Sequence, residues 1–254
     1  MLFAAQWYNR KDGEKMHPKI QEQLLELNRK FYTDFGAAFS EKRWRIQPGV
    51  ARVLEAVGQK AKVLDVGCGN GGVLAALLRR GFSGVYVGVD FSPELLAAAR
   101  RLLKEYPEAM FLERDVTLPH WHDGLPSPFD FVFAFSVLHH IPGEERRERL
   151  LAEIRSLLPS GGLFVHSHWQ FLNSPRLRAR IQPWEKAGID PDAVDPNDYL
   201  LDWRHRGAGL RYVHLFSEEE LRRLAAQTGF RIHQTFYSDG EGGRLGLYQI
   251  WEAE

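Results

Sequence analysis

The sequence predicts an α/β fold: a seven-stranded, mostly parallel sheet with a reversed last strand, an N-terminal helical cap and a lid insertion. Three observations carry this. From residue 61 onward, short apolar runs alternate with segments of helical period, the pattern of βαβ units around a parallel sheet. The chain closes with two β-rich runs, RIHQTFY and RLGLYQIW, separated by turn-prone SDGEGG; a hairpin there makes the last strand antiparallel. With 44% hydrophobic and 26% charged residues over 254 positions, the chain can bury the core of one large domain or of a core with an appendage.

The elements follow in order. In KIQEQLLELNRKFYTDFGAAF the apolar Ile20, Leu24, Leu25, Leu27, Phe31 and Phe35 recur near helical spacing. A short helix opens at Pro48, a favourable first-turn residue, and carries Val50, Val53 and Leu54. AKVLDV (61–66) reads as a buried strand, and a glycine-rich turn leads from it into the helix GVLAALLRR. GVYVGVD (84–90) is the second strand. Ser92, Pro93 and Glu94 then supply an N-cap, a first-turn proline and a charge suited to the positive helix end. AMFLERD (109–115), FDFVFAFS (129–136) and GGLFVHSH (161–168) are three more strands. Between the last two lies a charged helix with Leu150, Leu151, Ile154 and Leu158 on one face, its outer charges supported by pairs four residues apart. SEEELRRLAAQTGF (217–230) precedes the closing hairpin. Residues 169–215, with three of the seven Trp, four Pro and dense charge, fit neither pattern and read as an insertion or lid. The organisation is therefore a helical cap (1–60), a core (61–168), a lid or substrate insertion (169–215) and a C-terminal helix and hairpin (216–254).

Charge and cysteine content narrow the function classes. Lys+Arg and Asp+Glu both number 33, which excludes a uniformly basic nucleic-acid coat and an acidic solvating protein. Local patches remain: residues 1–60 carry net +4, and 61–168 and 169–254 carry −2 each. Within the insertion RLRARIQPWEK and WRHRGAGLRYVH are each +3, flanking DPDAVDPND at −4. Cys68, the single cysteine, forms no internal disulfide, and a reducing cytoplasm fits best. The first residues turn charged too soon for a signal peptide, and no run of 18 apolar residues occurs, so no membrane span is expected.

The strongest local signal is VLDVGCGNGG (63–72), where an apolar strand runs into Gly67, Gly69, Gly71 and Gly72 and a helix follows. Glycines let the chain turn tightly and a ligand approach bare backbone, beside a helix N-terminus. Gly67-x-Gly69-x-x-Gly72 with Asp90 closing the second strand also matches the dinucleotide fingerprint. Asp65, two residues before the first glycine, argues against it: a carboxylate there would repel a pyrophosphate and attract a cationic amino group. A third acid, Asp115, closes the third strand.

With the reversed last strand, these residues resemble the class I S-adenosylmethionine-dependent methyltransferases, a Rossmann-like fold whose loop reads (V/L)LD(V/I)GCGxG. The resemblance covers about residues 60–168 and 215–252. It implies S-adenosyl-L-methionine as cofactor. Asp65, Gly67, Gly69 and Asn70 would surround its methionine end, and Asp90 its ribose hydroxyls with Phe91 beside the adenine. Asp115 and Val116 would meet the adenine edge, and Ser136 would border the departing methyl. Cys68 is expected to be a small packed residue.

Further motifs are similar to one subfamily, the wobble-uridine tRNA methyltransferases that esterify 5-carboxymethyluridine, including the methyltransferase domain of AlkB-like fusions. Phe39, Ser40, Arg43, Pro48 and Val50 match its F-S-x-x-R and P-x-V; His139, His140, Glu145, Arg146 and Arg147 match its H-H and E-R-R. Trp169 stands at its strand-five Trp. Asp198, Leu200, Trp203, Arg211, Tyr212, His214, Phe216, Glu220 and Leu221 follow its D-x-L-x-x-W and R-Y-x-H-x-(F/Y)-x-x-x-E-L. Gln47, Asp202 and Gly72-Val73 depart from it. The resemblance implies a modified tRNA uridine carboxylate as methyl acceptor and a small zinc-binding activator as a partner. Arg43, Arg211 or His214 could clamp that carboxylate, and Trp44, Trp169 or Tyr212 could stack on a base.

Each of these has an alternative use. Arg43 suits an ion pair or a support beneath the cofactor, Trp169 and His214 suit packing, and His139-His140 after a strand suits a structural role. His166 and His168 would share a strand face, but no further ligand cluster accompanies them, so no metal is expected. The rival functions are a small-molecule O- or N-methyltransferase of the same fold, which the modest basic patches favour, and a non-catalytic cofactor-binding subunit, which the intact loop disfavours.

Overall fold

The structure, a computed structural model, describes residues 15–41, 46–204, 207–240 and 242–254. Candidates Arg43 and Trp44 lie outside those residues. In chain order the elements begin with α1 (Pro18–Glu41), α2 (Pro48–Leu54), β1 (Lys62–Val66), α3 (Gly72–Leu78), β2 (Val85–Asp90) and α4 (Pro93–Ala99). β3 (Met110–Glu113), β4 (Phe131–Phe135), α5 (Glu144–Ser156) and β5 (Leu163–Trp169) complete the parallel part. There follow α6 (Pro175–Arg178), β6 (Ile181–Gln182), β7 (Asp198–Trp203), β8 (Gly209–His214), α7 (Glu218–Gln227), β9 (Phe230–Ser238) and β10 (Gly246–Ala253).

The main sheet has seven strands in the order β3-β2-β1-β4-β5-β10-β9. β1 pairs in parallel with β2 and β4, and β5 with β4, whereas β10 runs antiparallel to both β5 and β9. The strand order reverses between β1 and β4, and at such a switch point the loops leaving the two strands part and open a crevice. Both faces are covered, so the central strands are apolar throughout. Leu64, Val66 and Val132 pack with Leu150, Leu151 and Leu221 on the side of α5 and α7. Val63, Phe133 and Val165 pack with Val53, Leu74 and Leu96 on the side of α2, α3 and α4. Ser92 caps α4 as expected, its hydroxyl accepting the Leu95 N–H at 3.3 Å.

Two expectations are corrected. β3 ends at Glu113, so Asp115 lies in the following turn; its carboxylate accepts the Thr117 N–H at 2.9 Å, a local bond that competes with continued strand. The insertion, which in the sequence fits neither the strand nor the helix pattern, holds regular structure: β6, β7 and β8 form a second, antiparallel sheet. Its strands escape a period-two reading because both faces are buried. Leu200 and Tyr212 face Leu24 of α1, while Leu201 and Val213 face Phe171 and Leu177. Asn28 joins α1 to this sheet by accepting the Tyr212 N–H at 2.8 Å and donating to its carbonyl at 3.2 Å. The cap helix and the insertion thus pack together as one cover above the crevice.

Candidate active site

Beneath that cover is a cavity of about 530 Å³. Its floor is the turn after β1. Gly67, Gly69 and Gly71 all have positive φ (68°, 54° and 79°), a conformation that costs side-chain-bearing residues strain. A Cβ on Gly67 would meet Val137 Cγ2 at 2.5 Å, whereas one on Gly69 would meet nothing within 4 Å. The loop backbone is therefore packed on one side and open on the other, a cradle for a ligand approaching the main chain.

Three carboxylates surround this cradle. Asp65 is 2% exposed and accepts the Tyr86 hydroxyl at 2.6 Å. Burial pushes its carboxyl up to about 7, with the Tyr86 bond opposing and the Asp90 charge adding to the rise. A buried carboxylate at such a poise is stabilised by an arriving cation. Asp90, at the end of β2, accepts the Gly69 N–H at 2.9 Å through one oxygen and the Ser92 N–H at 2.9 Å through the other. Burial raises this carboxyl as well, and the N–H donors hold it down. Asp115 is clasped from both sides: Thr117 donates its hydroxyl at 2.6 Å, and Arg29 of α1 reaches the other oxygen at 3.0 Å.

Sequence reading missed the residues that α1 adds. Tyr32 lies edge-on to Phe91 with ring centroids 6.0 Å apart, and its hydroxyl meets His140 Nε2 at 2.8 Å. His140 Nδ1 lies 3.1 Å from the Tyr212 carbonyl. With Nδ1 donating, Nε2 accepts the Tyr32 hydroxyl, so the imidazole holds the tyrosine ring over the cavity. Val116, Asn70 and Phe91 line the cofactor-loop half of the cavity. Ser136, directly after β4, also lines it with a strained φ of 62°, and its N–H is shared by the carbonyl and hydroxyl of Ser167, each at 3.1 Å.

At the opposite end Arg211 and Trp169 come together. The Arg211 guanidinium carbon lies 4.4 Å from the Trp169 ring centroid, 5.3 Å from Phe31 and 5.9 Å from Trp203. Such a cage strips water from the cation and fixes its plane. His139 accepts the Trp169 N–H at 3.4 Å.

His214 is not in this cavity. It lies 2% exposed on the other face of β8, with Nδ1 at 2.7 Å from Asp198 and Nε2 at 3.0 Å from Glu220. Burial and Arg147 push its pKa down, but the two carboxylates outweigh them and raise it. The imidazolium and the buried Arg147 balance Asp198 and Glu220, and the tyrosine of the same strand, Tyr212, donates to Asp198 at 2.9 Å. Alternation on a strand explains the separation: Arg211 and His214 are an odd number of residues apart and project from opposite faces. Among the described residues no group of three or more His, Cys, Asp or Glu side chains is arranged to hold a metal ion, and no helix is long and apolar enough to cross a membrane.

The geometry can be set beside known proteins. The methyltransferase domain family matches residues 38–235. The chain belongs to that family. Its methyl donor is S-adenosylmethionine, and the cradle at Gly69 with the cation-seeking Asp65 fits that molecule. The methyltransferase is 25% identical over 222 residues to the tRNA (carboxymethyluridine(34)-5-O)-methyltransferase of Schizosaccharomyces pombe, covering 81% of this chain and 89% of that one. To the enzyme of that name from Saccharomyces cerevisiae it is 30% identical over 149 residues, spanning 58% of this chain and half of the relative. Among solved structures, a methyltransferase from Methanosarcina mazei superposes with a TM-score of 0.61 at 20% identity, covering 82% of this chain and 98% of that one. This last likeness concerns the fold.

Proposed function

We propose that this methyltransferase esterifies a carboxylate, and that the acceptor is the carboxymethyl group of a modified uridine in tRNA. The observation that carries the reading is the caged guanidinium of Arg211 beside Trp169, at the end of the cavity opposite the glycine loop. A planar, desolvated guanidinium matches a carboxylate in shape and charge, and an indole next to it offers a face for a base. The names of the two yeast relatives point to the same chemistry.

When bound, the cofactor supplies a methyl group on a sulfonium for in-line displacement. Asp65 would take its ammonium group, Asp90 its ribose hydroxyls, Asp115 and Val116 its adenine, with Gly67, Gly69 and Asn70 around the methionine end. Arg211 would hold the acceptor carboxylate so that one oxygen faces the methyl, with Trp169 as its wall; this positioning is the main catalytic contribution such a transfer needs. A carboxylate is ionised at neutral pH, so no side chain has to remove a proton. That agrees with the histidines near the cavity being committed to Tyr32, the Trp169 backbone and one another.

A second reading has an observation of its own. A cavity of about 530 Å³ is of the size that serves cofactor-bound metabolites, so a small carboxylic acid is the alternative acceptor. Purified protein with methyl-labelled cofactor decides between them. The proposal expects label in tRNA that carries 5-carboxymethyluridine and none in tRNA that lacks it. Unlabelled tRNA beside a labelled metabolite pool would overturn it.

A further inference from the structure

Three arginines in RLRAR follow the loop that leaves β5, and their side chains divide. Arg178 turns back to donate to the Leu172 carbonyl at 2.6 Å. Arg176 and Arg180 both line the cavity, and among the described residues their guanidiniums make no hydrogen bond or ion pair. Leu177 between them is buried and anchors the segment. Two guanidiniums without a carboxylate partner among the described residues thus line one cavity, whose nearby carboxylates are held by other groups. Asp115 is paired with Arg29, and Asp239 accepts the Tyr248 hydroxyl at 2.5 Å and the Gly49 N–H at 2.9 Å. Asp65 and Asp90 stand at the glycine loop, away from the insertion.

We propose that Arg176 and Arg180 form a second anion subsite, so that the acceptor carries two anionic groups, one toward Arg211 and a phosphate or second carboxylate toward this pair. The inference rests on the reading of Arg211 as the carboxylate clamp but concerns different residues. The pair directly precedes β6 and Arg211 lies on β8, two strands across the same sheet, where Ile181, Leu201 and Arg211 stand in register, so one ligand in the cavity can engage both. A dianion then gains charge-assisted bonds at each end, whereas a monoanion gains them at one end only.

The test reads binding apart from turnover, by calorimetry on the full chain saturated with S-adenosylhomocysteine. The probes are 5-carboxymethyluridine (one anion), its 5′-monophosphate (carboxylate and phosphate) and tricarballylate (three carboxylates). The expected result is a preference of about tenfold or more for at least one polyanion over the nucleoside, the favoured probe identifying the source of the second anion. In R176Q/R180Q that preference collapses toward one, while the affinity for S-adenosylhomocysteine reports that the variant is folded. Charge reversal in R176E/R180E inverts it. Equal binding of mono- and polyanions, a preference that survives both double variants, or no binding of any probe at millimolar concentration would overturn the inference. If the preference is found but no ester forms, the carboxylate reading fails and the subsite stands.

Discussion

Asp65 is the residue at which structure converts most directly into a number. Its carboxyl is held at about 7 against an ordinary 3.8, a difference of roughly 3 pH units and therefore on the order of 4 kcal/mol against the ionised form in the empty protein. The folded chain keeps this proton to higher pH than the unfolded chain does. Asp65 thus contributes stability that is complete below pH 3.8 and is lost as pH rises through about 7. In the proposed binding mode a cofactor ammonium beside the carboxylate would reverse the penalty, so that cofactor binding would be coupled to loss of this proton. Between pH 7 and pH 6 the ionised fraction falls from about a half to about a tenth, while an α-amino group stays protonated. Cofactor affinity should weaken about fivefold over that interval, measured by calorimetry with S-adenosylhomocysteine. Asp65→Asn should lose most of the affinity, flatten the pH dependence and raise the melting temperature of the empty protein at pH 8. A Kd that is level from pH 6 to pH 7, or an Asn variant binding as tightly as the parent, would refute the reasoning.

Three other outcomes follow from the packing. Gly67→Ala forces a Cβ against Val137 at a φ of 68° and should cost more than about 1 kcal/mol in denaturant unfolding, part of it restored by Val137→Ala in the same chain. His214→Ala leaves Asp198 and Glu220 without their shared imidazolium and should destabilise by about 3–5 kcal/mol. Since the folded-state pKa of His214 is raised, its contribution is full below pH 6.5 and fades as pH climbs through the folded-state value, which a series of urea midpoints from pH 6 to pH 9 would show. Arg211→Ala should lower kcat/KM by about 10–100-fold with cofactor affinity retained, and Arg211→Lys should recover only part, because lysine lacks the planar fork.

Where local chain geometry decides, the sequence was legible. Gly67 and Gly69 announce a turn that other residues resist, Asp65 and Asp90 announce themselves by standing at strand ends beside it, and Ser92 announces a cap. These are matters of a few neighbouring residues. The cover was less legible because it depends on how distant pieces dock. Asn28, Arg29 and Tyr32 look like the polar face of an ordinary amphipathic helix, and only the contacts of α1 with the Asp115 turn and with β8 turn that face into a cavity wall. Leu200 and Leu201 conceal a strand by being buried on both sides. His214 shares a motif with Arg211, yet strand alternation separates them, a signal that becomes usable only once GLRYVH is known to be a strand.

The central claim, transfer of a methyl group to a carboxylate, is tested most directly by the lability of the product. tRNA bearing 5-carboxymethyluridine is incubated with the protein and methyl-labelled cofactor, then treated with mild alkali. The account requires label to enter the tRNA and to leave it quantitatively as methanol, the behaviour of an ester. Label that resists alkali, as a methyl on nitrogen or on a ribose hydroxyl would, contradicts it.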